Sequence, residues 1–176
     1  HLSVGGGVLV PFALFLTPKI GYKVAPKLHL GGGVLFASSL IRDFNFGVGA
    51  LYGSATYGTN EHNVTLNLGL GAIRENTGMG TSDYRWNFSN KPMMTLSGMT
   101  RISNRVMLMT ENWIFNVTNV NYDDGTGQFV NRVSNYEGIF SAGVRILGRK
   151  SAFDAGFLTP TGAQAAIPYL AYNLRF

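Results

Sequence analysis

From Asn63 to Gly71 the chain reads NVTLNLGLG, and its large apolar residues fall on every second position. Val64, Leu66, Leu68 and Leu70 share one face; Asn63, Thr65, Asn67, Gly69 and Gly71 share the other. The same period returns in KLHLGGGVLF, where Leu28, Leu30, Val34 and Phe36 alternate with Lys27, His29, Gly31 and Gly33. Between Tyr136 and Ile146 the apolar set is Tyr136, Phe140, Val144 and Ile146, against Glu137, Ser141, Gly143 and Arg145, with Ile139 as the exception. Successive side chains of a strand point to opposite faces, so period two predicts strands. About ten are expected, over 2–10, 13–24, 27–40, 44–58, 62–74, 83–102, 105–117, 134–147, 151–159 and 166–176. No segment carries the 3.6-residue apolar stripe of a helix. In the seventh strand Val106 and Leu108 take one parity and Trp113, Phe115 and Val117 the other, which predicts a bulge near Thr110–Asn112.

The connections alternate in length. Ala25–Pro26, Thr59–Glu61, Ser103–Asn104 and Gly148–Lys150 are tight. Thr77–Ser82, Thr118–Val133 and Pro160–Ala165 are longer, while those near Pro11 and Arg42 are short exceptions. Tight turns on one rim and long loops on the other form the layout of a membrane β-barrel. The expected architecture is a single all-β domain over residues 1–176, an antiparallel transmembrane barrel of about ten strands (8–12).

An alternating strand can close into a barrel in two ways. In a soluble barrel the apolar face points inward and the polar face meets water; in a membrane barrel the apolar face meets lipid. Composition separates them. Charged residues make up 13% of the 176 residues, against about 25% in a soluble domain. The polar face is built of Ser, Thr, Asn and Gly with single charges, which suits an enclosed lumen. No apolar run approaches a spanning helix of about 20 residues; the longest, Gly5–Thr17, is interrupted by Pro11. The net charge of +5 is scattered, without a basic, aromatic-interleaved cluster, which argues against a nucleic-acid partner. With no cysteine, disulfides and thiolate metal sites are excluded.

Two strands carry glycine triplets, SVGGGVLVPF from Ser3 and HLGGGVLFAS from His29. Glycine weakens a strand, so its presence needs a reason. A small barrel has a crowded, strongly curved inner wall, and tiny side chains on some strands make room for long ones on others. Gly5, Gly7, Gly31, Gly33, Gly47, Gly49, Gly69, Gly71 and Gly143 are expected on the inner face. Arg101, Glu111, Glu137, Arg145, Asp154 and Arg175 are the candidate lumen-lining charges, and both signs are present, so buried ion pairs are expected to plug the lumen.

The chain ends IPYLAYNLRF, with Leu170, Tyr172, Leu174 and Phe176 on one face. This resembles the terminal strand of bacterial outer-membrane β-barrels, which alternates and ends in an aromatic residue. The resemblance implies a place in the bacterial outer membrane, contact with outer-membrane lipid, and reading of Leu170, Tyr172, Leu174 and Phe176 by the barrel-assembly machinery. The stretch from Gly5 to Ser39 is similar to uncharacterised outer-membrane proteins of Bacteroidetes-type bacteria. Those chains are longer at the N-terminus, which implies that this one is a C-terminal portion. A start at His1, without initiator Met or signal peptide, is expected of a processed or truncated product.

Outer-membrane barrel enzymes hold their catalytic groups at the loop-bearing rim or facing lipid. Here His29 and His62 map to the tight-turn rim and His1 is terminal, so no catalytic set is assigned. His29 and His62 would bind metal only with a third ligand, and no metal or cofactor is expected. Asp123 and Asp124, before Gly125, read as turn residues rather than a calcium site. Tyr52, Tyr57, Tyr84, Trp86, Phe88, Trp113, Phe115, Tyr136, Tyr169 and Tyr172 are expected as interfacial anchors. The expected function is non-enzymatic, a structural or surface-interaction barrel with a side-chain-filled lumen. The alternatives are a narrow passive pore and a soluble barrel around an apolar ligand. The last requires Leu66, Leu68, Val144 and Leu174 to face inward.

Overall fold

The computed structural model describes residues 2–9, 13–40, 47–76, 84–122 and 129–175. Its strands are β1 (Leu2–Leu9), β2 (Ala13–Ala25), β3 (Leu28–Ser39), β4 (Gly47–Gly58), β5 (His62–Asn76) and β6 (Tyr84–Phe88). They continue as β7 (Met93–Arg101), β8 (Val106–Tyr122), β9 (Phe129–Leu147), β10 (Ser151–Pro160) and β11 (Ile167–Arg175). Every pairing is antiparallel, and β1 pairs with β11, so the sheet closes on itself. Both β6 and β7 pair with β5, one beyond the other, and count as one interrupted wall strand. The wall therefore has ten positions, a closed antiparallel ten-stranded transmembrane β-barrel.

The apolar face is outside. Leu68 and Leu70 are each 55% exposed, and Leu66, Val144 and Leu174 are outward as well. Leucines so placed in water would be costly, whereas hydrocarbon accepts them. Among the described residues pairing is continuous round the wall through β7, while β6 pairs with β5 alone. The soluble-barrel alternative required these residues inside and is corrected. The interior holds the buried Ala13, Ala50, Tyr52, Met93, Thr95, Met107, Ala152, Asp154, Tyr169 and Ala171.

The four tight connections form as expected. Thr59 N–H donates to His62 O at 2.7 Å, and Gly148 N–H donates to Ser151 O at 2.8 Å. At the other rim the expected 118–133 loop is largely strand, since β8 and β9 continue pairing to Tyr122 and Phe129. Asp123 and Asp124 lie outside the described residues.

The expected strand 83–102 breaks at Pro92, which has no N–H for the ladder. Between the pairs Ala72–Phe88 and Gly69–Met93 the interrupted strand carries two more residues than β5. An even insertion leaves the inside–outside parity unchanged. The expected bulge at Thr110–Asn112 is not a register shift: β8 pairs with β9 up to Thr110–Ala142 and again from Trp113–Ile139 in the same register. Between them the ladder is replaced by side chains. Glu111 N–H donates to Ser141 Oγ at 3.0 Å, Ser141 Oγ donates to Glu111 O at 2.8 Å, and Thr110 Oγ1 donates to Ser141 O at 2.7 Å. Parity is kept, so Leu108, Thr110 and Ile114 point out while Met107, Glu111, Trp113 and Phe115 share the inner face.

Candidate functional site

The barrel's polar centre is inside the wall. Arg145 on β9 and Asp154 on β10 are direct cross-strand partners on the inner face. Their side chains meet in a two-pronged pair: Nε donates to Oδ1 and Nη2 donates to Oδ2, both at 2.7 Å. Such fork geometry is the strongest form of a charge-assisted bond. Asn173 on β11 donates from Nδ2 to Asp154 Oδ2 at 2.8 Å, and Arg145 Nη1 reaches Met99 Sδ on β7 at 3.3 Å. Side-chain exposure is 16% for Arg145 and 4% for Asp154, so the pair is withdrawn from bulk water. The register places small Ala152 opposite Asn173 and Ala171 opposite Asp154, leaving room for these three side chains.

Several inner glycines stand where a side chain would collide with a neighbouring strand or an inner side chain. A Cβ on Gly33 would lie 2.6 Å from the Tyr52 hydroxyl, and one on Gly143 would lie 2.8 Å from the Tyr169 hydroxyl. A Cβ on Gly7 would press on the Phe15 ring, and one on Gly5 on the Asn173 side chain. Real side chains do not approach so closely; at Gly5 and Gly33 an inner side chain fills the space, and at Gly7 and Gly143 a neighbouring strand's carbonyl, Leu170 O and Ala155 O, is nearer still. Gly47 and Gly49 are corrected: they pair with Arg74 and Ala72 on the outward face, under the Trp86 ring.

Of the expected lumen charges, the fold brings Arg145 and Asp154 together. Glu111 also faces inward, opposite Ser97 of β7. Arg101 sits at the tight-turn rim, 3.7 Å from Glu61 Oε1 and partly in water. Glu137 stands opposite Phe115 toward the long-loop end. Among the described residues the ion pairs are Arg101–Glu61 and Arg145–Asp154, so Glu137 is not joined to the central cluster. Arg175 lies outside the described side chains and Phe176 outside the described residues. Leu170, Tyr172 and Leu174 are exposed on the outer face.

Sequence reasoning missed several inner residues. Tyr52 and Tyr169 were expected as anchors but are only 8% and 9% exposed and fill the lumen. Trp113 and Phe115 likewise share the inner face, whereas Tyr57, Trp86, Phe88, Tyr136 and Tyr172 are outward. Tyr84 lies outside the described side chains. The available signal was parity: Tyr52 is out of step with Leu51 and Tyr57, and Tyr169 with Leu170 and Tyr172. Asn173 and Met99 carried no signal of their own, because register alone brings them to Arg145.

Toward the tight-turn end a polar cavity of about 130 Å³ is lined by Ser3, Gly5, Thr17, Lys19, Arg145 and Asn173. The two basic residues there are partly offset by Asp154. His29 and His62 lie on opposite faces of the wall, and His62 Nδ1 lies 2.6 Å from Thr100 Oγ1. Among the described residues no group of three His, Cys, Asp or Glu could hold a metal ion.

No family model matches the chain, and no curated protein matches it. Solved structures do. A NanC porin structure aligns with a TM-score of 0.51 at 9% identity, covering 100% of this chain and 99% of that one. The N-terminal β-barrel domain of Pseudomonas aeruginosa OprF aligns at 0.34 and 11% identity, over 99% and 96%. The β domain of the Bordetella autotransporter BrkA aligns at 0.37 and 13% identity, over 99% and 98%. At such identities the likeness is one of fold, and the porin carries it.

Proposed function

We propose that this chain is a bacterial outer-membrane barrel with a closed lumen and a non-enzymatic, structural or surface-interaction role. Its tight turns face the periplasm and its longer loops face outward. Outer-membrane lipid contacts the apolar wall, and the barrel-assembly machinery reads Leu170, Tyr172, Leu174 and Phe176 at the last strand. The resemblance of the Gly5–Ser39 stretch supports a kinship with Bacteroidetes-type outer-membrane proteins.

One observation carries the closed-lumen reading. The middle of the barrel is filled by the Arg145–Asp154–Asn173 cluster together with Tyr52, Tyr169 and Thr95, the last only 1% exposed. A barrel of about eight strands is just wide enough for its own side chains or one small ligand, and the wide aqueous channels belong to barrels of about 16–18 strands. Refolded protein in planar bilayers should therefore show no conductance steps, with a heat-shifted band confirming that the same sample is folded. Steady steps overturn the reading.

The second reading is a narrow passive pore. The polar cavity beside Lys19 and Arg145 favours it, as does the fold shared with a porin. The same recording decides. Tyr52→Ala with Tyr169→Ala sharpens it: if these rings seal the lumen, the double variant conducts where the parent is silent.

A further inference from the structure

The outward face of β8 is not apolar throughout. Thr110 and Asn112 share it with Leu108 and Ile114. Asn112 is six residues from Val106, where β8 leaves its tight turn. At about 3.3 Å per residue on a strand tilted by about 40°, that is about 15 Å up an apolar band about 25 Å tall. Its neighbours agree with that depth. Leu96 of β7 pairs with it and Phe140 of β9 is level with it, and these two, like Leu108 and Ile114, are exposed on the outer wall. Part of the polarity serves the wall itself. Thr110 has one hydroxyl hydrogen and gives it to Ser141 O at 2.7 Å, so its 3.4 Å contact with Asn112 Oδ1 leaves that oxygen without a good donor. One Asn112 amide hydrogen goes to Leu96 O at 3.2 Å. An amide carries two, so among the described residues one N–H and the oxygen are left facing hydrocarbon. Beneath Asn112, Thr110 stands between Gly98 of β7 and Ala142 of β9. A Cβ on Gly98 would meet nothing nearer than Thr110 Cγ2 at 3.7 Å, an ordinary contact, so the packing of one barrel does not ask for glycine there. Its backbone does not ask for it either, since its φ is not positive. The result is a shallow recess beside a half-used amide.

We propose that this patch joins two copies of the barrel side by side in the membrane, the Asn112 amide of each donating to Asn112 Oδ1 of the other across the Gly98–Ala142 recess. The inference rests on the membrane reading above and goes beyond it. Hydrocarbon offers no hydrogen bond, so a half-used amide at this depth is satisfied by another protein group. The chemistry selects a second copy, because an amide offers a donor and an acceptor together and so complements itself. Both copies enter the membrane the same way up, so the two-fold axis between them runs along the membrane normal. Each residue then meets the other copy at its own depth, and a residue beside the axis faces itself. Asn112 needs that arrangement. Small residues next to a polar one suit such a contact, since in a membrane close packing and hydrogen bonds drive association and apolar bulk gains nothing over lipid.

The chain has no cysteine, so Asn104→Cys, in the tight turn below the patch, gives a single labelling point. Donor- and acceptor-labelled copies are refolded together in phosphatidylcholine vesicles, and energy transfer is followed as the protein is diluted with lipid. Transfer above the level of random neighbours, falling on dilution as a dimer does, is expected. Two hydrogen bonds across a membrane contact correspond to about tenfold in the dimer dissociation constant, so Asn112→Leu should move the dilution midpoint by about that factor. Gly98→Leu, which fills the recess, should weaken the dimer at least as much, and Leu68→Ala on β5 should leave it unchanged. The heat-shifted band shows that each variant is folded; if Asn112→Leu does not fold, Asn112→Ala takes its place. Transfer at the random level leaves the patch to a different membrane protein and overturns the proposal. Transfer that survives either the Asn112 or the Gly98 substitution overturns it by placing the contact on another face. A parent chain that never gives a heat-shifted band in vesicles overturns the membrane reading instead, and this one with it.

Discussion

Replacing Asp154 with asparagine removes one charge from the buried pair while keeping the side chain's shape. Arg145 then remains charged with 16% of its side chain exposed. Losing one partner of a buried pair costs about 3–5 kcal/mol, because the remaining charge is desolvated without compensation. The adjoining cavity of about 130 Å³ has room for several waters, which places the expected loss at the lower end, about 3 kcal/mol. With a urea slope of about 2 kcal/mol per molar, the unfolding midpoint should fall by about 1.5 M. The assay is a urea titration in detergent micelles, followed by tryptophan fluorescence and by the heat-dependent gel shift. Replacing both partners, Arg145→Met with Asp154→Leu, should return the midpoint close to that of the parent, since no charge is left stranded. An Asp154→Asn midpoint within about 0.3 M of the parent would refute the reasoning, since the pair would then be screened like a surface one. A double variant as weak as the single one would assign the loss to packing rather than charge.

Gly33→Ala should destabilise by about 1–3 kcal/mol, because its Cβ meets the Tyr52 hydroxyl; Tyr52→Ala in the same chain should relieve part of that loss in the urea titration. Leu68→Arg, at mid-height of the lipid face, should cost about 2–4 kcal/mol, whereas Val64→Arg near the tight-turn rim should cost about 1 kcal/mol or less. Equal effects at the two depths, measured by refolding in vesicles, would contradict a lipid-facing wall. Deletion of Phe176 should reduce assembly in cells while leaving refolding in detergent unchanged, if the last strand is an assembly signal.

The outward leucines of β5, the tyrosine and phenylalanine ladder of β9 and the alternating last strand were legible because side-chain direction in a strand is a local property. The low charge content decided which face meets lipid, since composition needs no knowledge of contacts. The match of glycines to crowded inner space was also readable in outline at Gly5, Gly7, Gly33 and Gly143.

Register and closure are not local, and there the tertiary structure decided. Gly47 and Gly49 open β4, and nothing in the preceding sequence states which face the strand begins on; pairing with Arg74 and Ala72 turns them outward. Trp113 and Phe115 stay inside because three hydroxyl-mediated bonds at Glu111 and Ser141 replace the ladder without shifting it. Arg145, Asp154 and Asn173 come from three strands, and Met99 reaches them from a fourth. Their meeting depends on register across the closed sheet, which no single segment of sequence encodes.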